Sequence, residues 1–149
     1  MKPKFRDYYM QVAESTAQLS TAQRLKVGAV VVRDQKILAT GYNGTPSGWD
    51  NNCEDVVWHS NGERTLKTRP EVLHAEANSI LKIARSTESS EGATLFCTHA
   101  PCLECAKLIY QSGIRQLFYR DSYRDSSGLD FLQQGGIEVE QYQSDKNPG

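Results

Sequence analysis

The sequence predicts an α/β protein, a three-layer α/β/α arrangement on one five-stranded mixed sheet whose last two strands run parallel. Three observations carry that prediction. Short β-rich runs alternate with segments of helical period through the second half of the chain, which is the pattern of strand–helix–strand units. An early pair of β-rich runs, Val27–Arg33 and Lys36–Tyr42, is separated only by Asp34-Gln35 and reads as a hairpin. A helix-patterned segment, Ser126–Gln134, lies between the last two β-rich runs, and such a connection implies a right-handed crossover and parallel pairing.

In chain order, Phe5, Tyr8, Tyr9, Val12, Ala13 and Leu19 recur at roughly helical spacing and predict an amphipathic helix that exits at Ser20-Thr21. The hairpin follows, although Asp-Gln is a weaker turn signal than Asn-Gly. Its first strand carries an unbroken Val-Gly-Ala-Val-Val-Val run, as expected of a strand buried on both faces. Asn43 to Asn61 is rich in Gly, Asn, Pro and Ser and has no sustained period. A loop of that length is usually either functional or disordered, and Trp49 and Trp58 weigh against disorder. Residues 62–70 are polar and charged and read as a mobile surface loop.

Pro70 and Glu71 precede a helix over His74–Arg85 with Ala75, Ala77, Ile80, Leu81 and Ala84 on its inner side, and Ser86–Gly92 is a polar connector. Ala93–Thr98 is a strand. Pro101 then opens a helix that runs through Ser112 and closes at Gly113, the usual Pro-first, Gly-last asymmetry. Gln116–Arg120 is a strand, Gly135-Gly136 ends the helix after it, and Ile137–Tyr142 is the final strand. The tail over 143–149 is polar and expected to fray.

With 149 residues, the reading is a single domain over 1–149, large enough for a proper core. The apolar run Val27–Val32 is far too short to span a membrane, and Met1-Lys2-Pro3-Lys4 lacks a signal-peptide core, so a cytoplasmic location is expected. Net charge is −1 with no block of Lys or Arg, which speaks against a nucleic-acid partner and for a small substrate. Four cysteines without a secretory signal read as metal ligands and buried thiols rather than a disulfide framework.

The chemistry concentrates in His74-Ala75-Glu76 and Pro101-Cys102-Leu103-Glu104-Cys105. One imidazole and two thiolates are three ligands, and three ligands with an open position make a catalytic rather than a structural zinc site. Cys102 is expected in the first turn of its helix, where the dipole favours thiolate, with Cys105 one turn later on the same face. Glu76 is then free to move protons to and from water whose pKa zinc lowers to about 7. Both segments begin helices at strand ends, where α/β proteins place ligands. On an ideal helix an offset of two turns side chains apart by about 200°, so His74 and Glu76 can serve one site only near a helix end. Each part alone has a plainer reading. The Cys pair could be a redox couple, half a zinc knuckle or two core thiols; His74 could be a satisfied core or surface histidine; Glu76 could be a solvated helix residue. Their conjunction in this order favours catalysis.

On Arg24-Leu25-Lys26-Val27-Gly28-Ala29-Val30, Gly41-Tyr42-Asn43-Gly44-Thr45-Pro46-Ser47-Gly48, His74–Asn78 and Pro101–Cys105, the chain resembles the cytidine deaminase superfamily, over about Phe5 to Tyr142. The pattern H-x-E…P-C-x-x-C is the signature of zinc nucleobase deaminases, and the Gly-Tyr-Asn-Gly loop narrows the resemblance to the deoxycytidylate deaminases. That resemblance implies hydrolysis of dCMP to dUMP and ammonia, feeding thymidylate synthesis, with Zn²⁺ held by His74, Cys102 and Cys105. It implies that water attacks C4 of the ring while Glu76 protonates N3 and then the departing amine. It places Asn43 at the sugar and ring edge, and Arg24, Tyr123 and Arg124 at the 5′-phosphate. Taken without it, the two arginines read equally well as solvated charges and Tyr123 as a half-buried loop aromatic.

The resemblance also implies a homohexamer activated by dCTP and inhibited by dTTP, each with Mg²⁺. The effector region it points to is Gly41, Tyr42, Asn43, Gly44 and Thr45, with Arg85 tied to the effector response. Exposed aromatics such as Trp49 agree with an oligomer. The chain departs from relatives at Ala100, where a larger residue is common, so the pocket wall near the base is expected to be built differently. Some phage relatives carry a second, structural zinc. Here only Cys53 and His59 are candidates and Val72 stands where a further His is expected, so no second zinc is assigned. Cys97 reads as a buried strand thiol.

Other functions predict other features. An RNA-acting adenosine deaminase needs a basic face. A nucleoside or riboflavin-pathway deaminase has no use for Arg24 and Arg124, or needs a fused reductase domain. A non-catalytic zinc or nucleotide-binding module could dispense with Glu76.

Overall fold

The computed structural model describes residues 1–144. Of the tail expected to fray, 145–149 lie outside the described residues. The element order is α1 (Pro3–Ala17), β1 (Gly28–Arg33), β2 (Lys36–Tyr42), β3 (Glu54–Trp58), β4 (Arg64–Thr68), α2 (Ala75–Ala84), β5 (Thr94–His99), α3 (Leu103–Gln111), β6 (Gln116–Asp121), α4 (Ser127–Gln134) and β7 (Glu138–Gln141).

The main sheet has five strands in the order β2-β1-β5-β6-β7. β1 pairs antiparallel with β2 and β5, while β5, β6 and β7 are parallel, so the mixed sheet and its parallel end match the sequence-based expectation. Each parallel step crosses over through a helix, α3 and then α4, as parallel pairing requires. Asp34 and Gln35 both take positive φ, 52° and 61°, which gives the hairpin the primed turn that fits the twist of its strands.

β1 divides the core. Its Val30 and Val32 face α1, where they pack with Tyr9, Met10, Ala13, Phe96 and Phe118. Its Ala29 and Val31 face the other layer, with Ala75 and Ile83 of α2, Ala106 and Ile109 of α3 and Leu132 of α4. Strand β1 is therefore buried on both faces, and the layers are α1, sheet, and α2–α3–α4. Phe96 and Phe118 stack at 4.9 Å between centroids and join β5 to β6 on the α1 side.

Three sequence-based expectations change. Residues 54–68, expected to be loop, form a two-stranded antiparallel sheet of β3 and β4. Its turn runs through Asn61-Gly62, with Gly62 at φ +86° and the His59 N–H bonded to the Glu63 carbonyl at 2.8 Å. Asn-Gly between Val56-Val57-Trp58 and Thr65-Leu66 is a strong hairpin signal and could have located it. On α2 the buried residues are Ala75, Glu76, Ser79 and Ile83, with Ile80 packed against the core as expected, while Leu81 is 51% exposed and Ala84 is exposed. Two polar residues take the place of apolar ones because this face floors a cavity and meets the backbone of β2. Helix α1 ends at Ala17, short of Leu19, and Tyr8 on it and Leu19 beyond it are exposed, at 52% and 64%.

A candidate deaminase-type metal centre

Two helix starts converge. His74 is the residue before α2 and is extended (φ −77°, ψ 154°); Cys102 is the residue before α3 and is also extended (φ −71°, ψ 171°). The helix after Pro101 thus begins two residues later than expected, and Cys102 caps it rather than lying in its first turn. The extended His74 also removes the two-residue offset problem, since only Glu76 of the pair is on the helix.

His74 Nδ1 lies 3.2 Å from Cys105 Sγ and 3.5 Å from Cys102 Sγ. Among the described residues, these three form the one group of His, Cys, Asp or Glu whose donor atoms all fall within 4.8 Å of each other. Donors placed about 2.0–2.3 Å from a shared tetrahedral zinc are about 3.5 Å apart, so the spacing and the His-Cys-Cys set both fit zinc with an open fourth position. Hydrogen bonding to Cys105 and His74 draws the Cys102 thiol down to about 3. The same contact with Cys102, together with burial, pushes the Cys105 thiol up. A divalent cation held among them would reverse that second shift, because a coordinating thiol is deprotonated outright. His74 is raised by its hydrogen bond with Cys102, against the effect of burial.

Glu76 is 4% exposed and points into a cavity of about 450 Å³ that His74 and Cys102 also line. That volume lies within the range of about 300–1,000 Å³ typical of small-molecule sites. Burial raises the Glu76 carboxyl, outweighing its backbone hydrogen bond and the charge of His74, so the side chain accepts and keeps a proton more readily than a solvated carboxylate. Cys97 on β5 is fully buried, and desolvation raises its thiol well above the ordinary value.

Arg24, Asn43 and Tyr123 share the walls of the same cavity. Arg24 Nη1 donates to Thr68 Oγ1 at 3.2 Å. Asn43 is anchored at both ends: its Oδ1 accepts the Val27 N–H at 2.9 Å and its Nδ2 donates to the Leu25 carbonyl at 2.8 Å. Tyr123 is 53% exposed at the rim. Arg124 is exposed in the loop between β6 and α4, off the cavity wall. Ala100 forms part of the wall, where its small side chain leaves room.

Gly41, Tyr42, Gly44, Thr45 and Arg85 lie away from the wall. Gly41 packs against Ala75 and Ser79 of α2, Asn78 Nδ2 donates to the Tyr42 carbonyl at 2.8 Å, and Arg85 caps the far end of α2. Cys53 and His59 stand at opposite ends of β3, where Cys53 Sγ meets Thr21 Oγ1 at 3.6 Å and the His59 ring meets Thr65 Oγ1 at 2.9 Å.

Two ionisable cavity residues escaped the sequence reading. His99 ends β5, with Nε2 3.3 Å from Asp121 Oδ2 and Nδ1 3.0 Å from Thr98 Oγ1, and burial lowers its pKa against the pull of Asp121. Its place three residues before Cys102, on the strand feeding the motif, was the available signal. Glu54 opens β3 and had no local signal, because its burial depends on a hairpin folding against the distant 22–24 segment.

Residues 3–120 match the family model described as the cytidine and deoxycytidylate deaminase zinc-binding region. The deoxycytidylate deaminase of Saccharomyces cerevisiae is 36% identical over 99% of this chain, which spans only 48% of that protein's length. The deoxycytidylate deaminase of Homo sapiens is 40% identical over 80% of the chain and 67% of its own length. The crystal structure of the dCMP deaminase from the cyanophage S-TIM5, in complex with dCMP and dUMP, superposes with a TM-score of 0.86 at 48% identity, covering 95% of this chain and 99% of that one.

Proposed function

The chain belongs to the cytidine and deoxycytidylate deaminase family, and from that premise we propose that it hydrolyses dCMP to dUMP and ammonia, supplying dUMP for thymidylate synthesis. The observation that carries this reading is the sharing of one cavity by the metal-type cluster, the buried Glu76 and the cation of Arg24. Zinc, when bound by His74, Cys102 and Cys105, lowers the pKa of water to about 7 and so supplies a nucleophile at neutral pH.

Glu76 takes the proton of the attacking water on its carboxylate and delivers it to N3 of the ring. It then moves the second proton of that water, now on the C4 hydroxyl, to the amine leaving C4, so that a C4 carbonyl replaces the C4–N bond and ammonia departs. A carboxyl with a raised pKa suits both steps, since it must hold each proton before passing it on. Asn43, its amide fixed by two backbone bonds, offers its remaining N–H to the sugar and ring edge. Arg24 and Tyr123 on the wall, with Arg124 next to Tyr123 in sequence, hold the 5′-phosphate through charge-assisted hydrogen bonds.

Regulation by dCTP as activator and dTTP as inhibitor, each with Mg²⁺, belongs to the same proposal. What supports it is the seating of Gly41–Thr45 on the helix that carries Glu76, with Asn78 and Lys82 of α2 donating to the carbonyls of Tyr42 and Thr40 at 2.8 and 2.7 Å. A ligand that shifts this loop shifts α2, and Arg85 at the end of that helix is placed to respond. A homohexamer is proposed with it, in keeping with Trp49 and Trp58, which are 60% and 69% exposed. Among the described residues no helix is long and apolar enough to cross a membrane, and a cytoplasmic location is proposed.

The test is ammonia release from dCMP by the zinc-loaded protein, with and without dCTP·Mg²⁺ or dTTP·Mg²⁺, and with deoxycytidine as the unphosphorylated control. Turnover of dCMP alone, raised by dCTP and suppressed by dTTP, is expected. No reaction with either substrate under any condition would remove dCMP as the substrate.

A further inference from the structure

Glu54 is a carboxylate that the reaction as described leaves unused. It is 4% exposed and forms part of the cavity wall. Its Oε2 accepts the backbone N–H groups of Gln23 and Arg24 at 2.9 and 3.1 Å, tying down the segment that carries Arg24. Its Oε1 is buried with no hydrogen-bond partner, the one such side-chain N or O atom among the described residues. A buried carboxylate oxygen without a donor is costly, and buried polar atoms are almost always paired. A ligand seated in the adjoining cavity is the natural source of the missing donor.

We infer that Glu54 Oε1 receives the 3′-hydroxyl of the nucleotide sugar and thereby restricts the site to free mononucleotides. The inference rests on the dCMP reading above. dCMP offers only two kinds of neutral donor, its C4 amine and its 3′-hydroxyl; N3, O2 and the phosphate oxygens accept. The amine belongs at Glu76 and the cluster, and the phosphate at Arg24, whose backbone Glu54 itself fixes. The 3′-hydroxyl is the donor that remains. When the 3′-oxygen is esterified, as inside a nucleic-acid strand or in a 3′-phosphate, it has no proton to give and brings negative charge against a buried carboxylate. Glu54 thus selects the monomer by chemistry, independently of the shape of the cavity.

The experiment compares kcat/KM of the zinc-loaded protein on dCMP, 2′,3′-dideoxy-CMP and deoxycytidine 3′,5′-bisphosphate, and calorimetric binding of dUMP against 2′,3′-dideoxy-UMP. A charge-assisted hydrogen bond predicts a preference of about 10- to 100-fold for the 3′-hydroxyl compounds, with no turnover of the bisphosphate. In Glu54→Gln, the amide oxygen still accepts from Gln23 and Arg24 while its NH₂ presents a donor to the cavity. The preference should then fall to about threefold or less. dCMP turnover with no preference in the unmutated protein overturns the Glu54 assignment and leaves the dCMP reading standing. Equal losses on both substrates in the variant, with the preference intact, assign Glu54 a purely structural role and also overturn it. Absence of both dCMP turnover and dUMP binding refutes the dCMP reading itself, and this inference with it.

Discussion

Gly41→Ala tests how tightly β2 controls the helix that bears Glu76. Gly41 is buried, and a Cβ there would stand 2.6 Å from Ser79 N and 3.1 Å from Ser79 Cα, and closer still to the Ala75 carbonyl oxygen. All three are backbone atoms of α2, so no side chain can swing aside. Its φ lies outside the left-handed region, which makes the penalty steric rather than conformational. Set against an ordinary separation of about 3.5 Å, strand and helix must part by about 1 Å. Overpacking of this kind costs about 1–3 kcal/mol, or roughly 2–4 °C of Tm for each kcal/mol at this chain length. The displaced turn also positions Glu76, whose carbonyl accepts from Ser79 Oγ at 2.8 Å. A misplacement of about 1 Å at a reacting group can lower kcat about 10²-fold. Urea unfolding and dCMP deamination measure the two losses, and metal analysis shows whether zinc is still held. Gly44→Ala is the stability control: its Cβ meets only the Tyr42 ring at 3.9 Å, so a change within about 0.5 kcal/mol is expected. Native stability and native kcat in Gly41→Ala would refute the argument that this contact sets the helix.

Glu76→Gln should retain zinc by metal analysis and dCMP by calorimetry while losing about 10²- to 10⁴-fold in kcat, and near-normal turnover would remove its role as proton carrier. Arg24→Ala should weaken dCMP by about 1.5–3 kcal/mol and leave deoxycytidine nearly unchanged, because Glu54 holds the segment by its backbone; equal losses on both substrates would take Arg24 out of the phosphate site. The Tyr142 hydroxyl donates to Asp7 Oδ1 at 2.6 Å, and burial and that bond push its pKa from 10 up to about 12. The fold therefore favours the neutral phenol, and its stabilisation is complete below pH 10 and lost as pH rises through about 12. Tyr142→Phe should cost about 0.5–1.5 kcal/mol near neutrality and flatten the fall in urea stability over that window, and an unchanged slope there would refute the assignment.

The candidate site residues were legible in the sequence because their geometry is local. His74 with Glu76, and Cys102 with Cys105, are each placed by a single helix start, so their spacing along the chain already implies a shared focus. The α1, β1 and β5 elements were legible because burial marks a segment that can be read alone, as a helical period in α1 and as continuous apolar runs in β1 and β5, which are buried on both faces. The β3–β4 hairpin shows the limit. Both its faces are largely exposed and Trp58 is 69% exposed, so neither strand carries the one-sided pattern that burial writes into a sequence, and only Asn61-Gly62 marks its turn.

The sequence by itself determined the three-layer arrangement, the parallel end of the sheet, the His-Cys-Cys donor set and the family to which the chain belongs, since each follows from neighbouring residues or from a motif. Tertiary structure alone decided that Gly41 braces the Glu76 helix through backbone atoms 34 and 38 residues away. It also decided that Leu81 faces outward while Glu76 and Ser79 face in, and that Glu54 is buried against Gln23 and Arg24 with one oxygen unpaired. These depend on which distant surfaces meet. A residue's own chemistry sets what burial will cost or contribute, but only the packing of the whole chain sets whether it is buried, and against what.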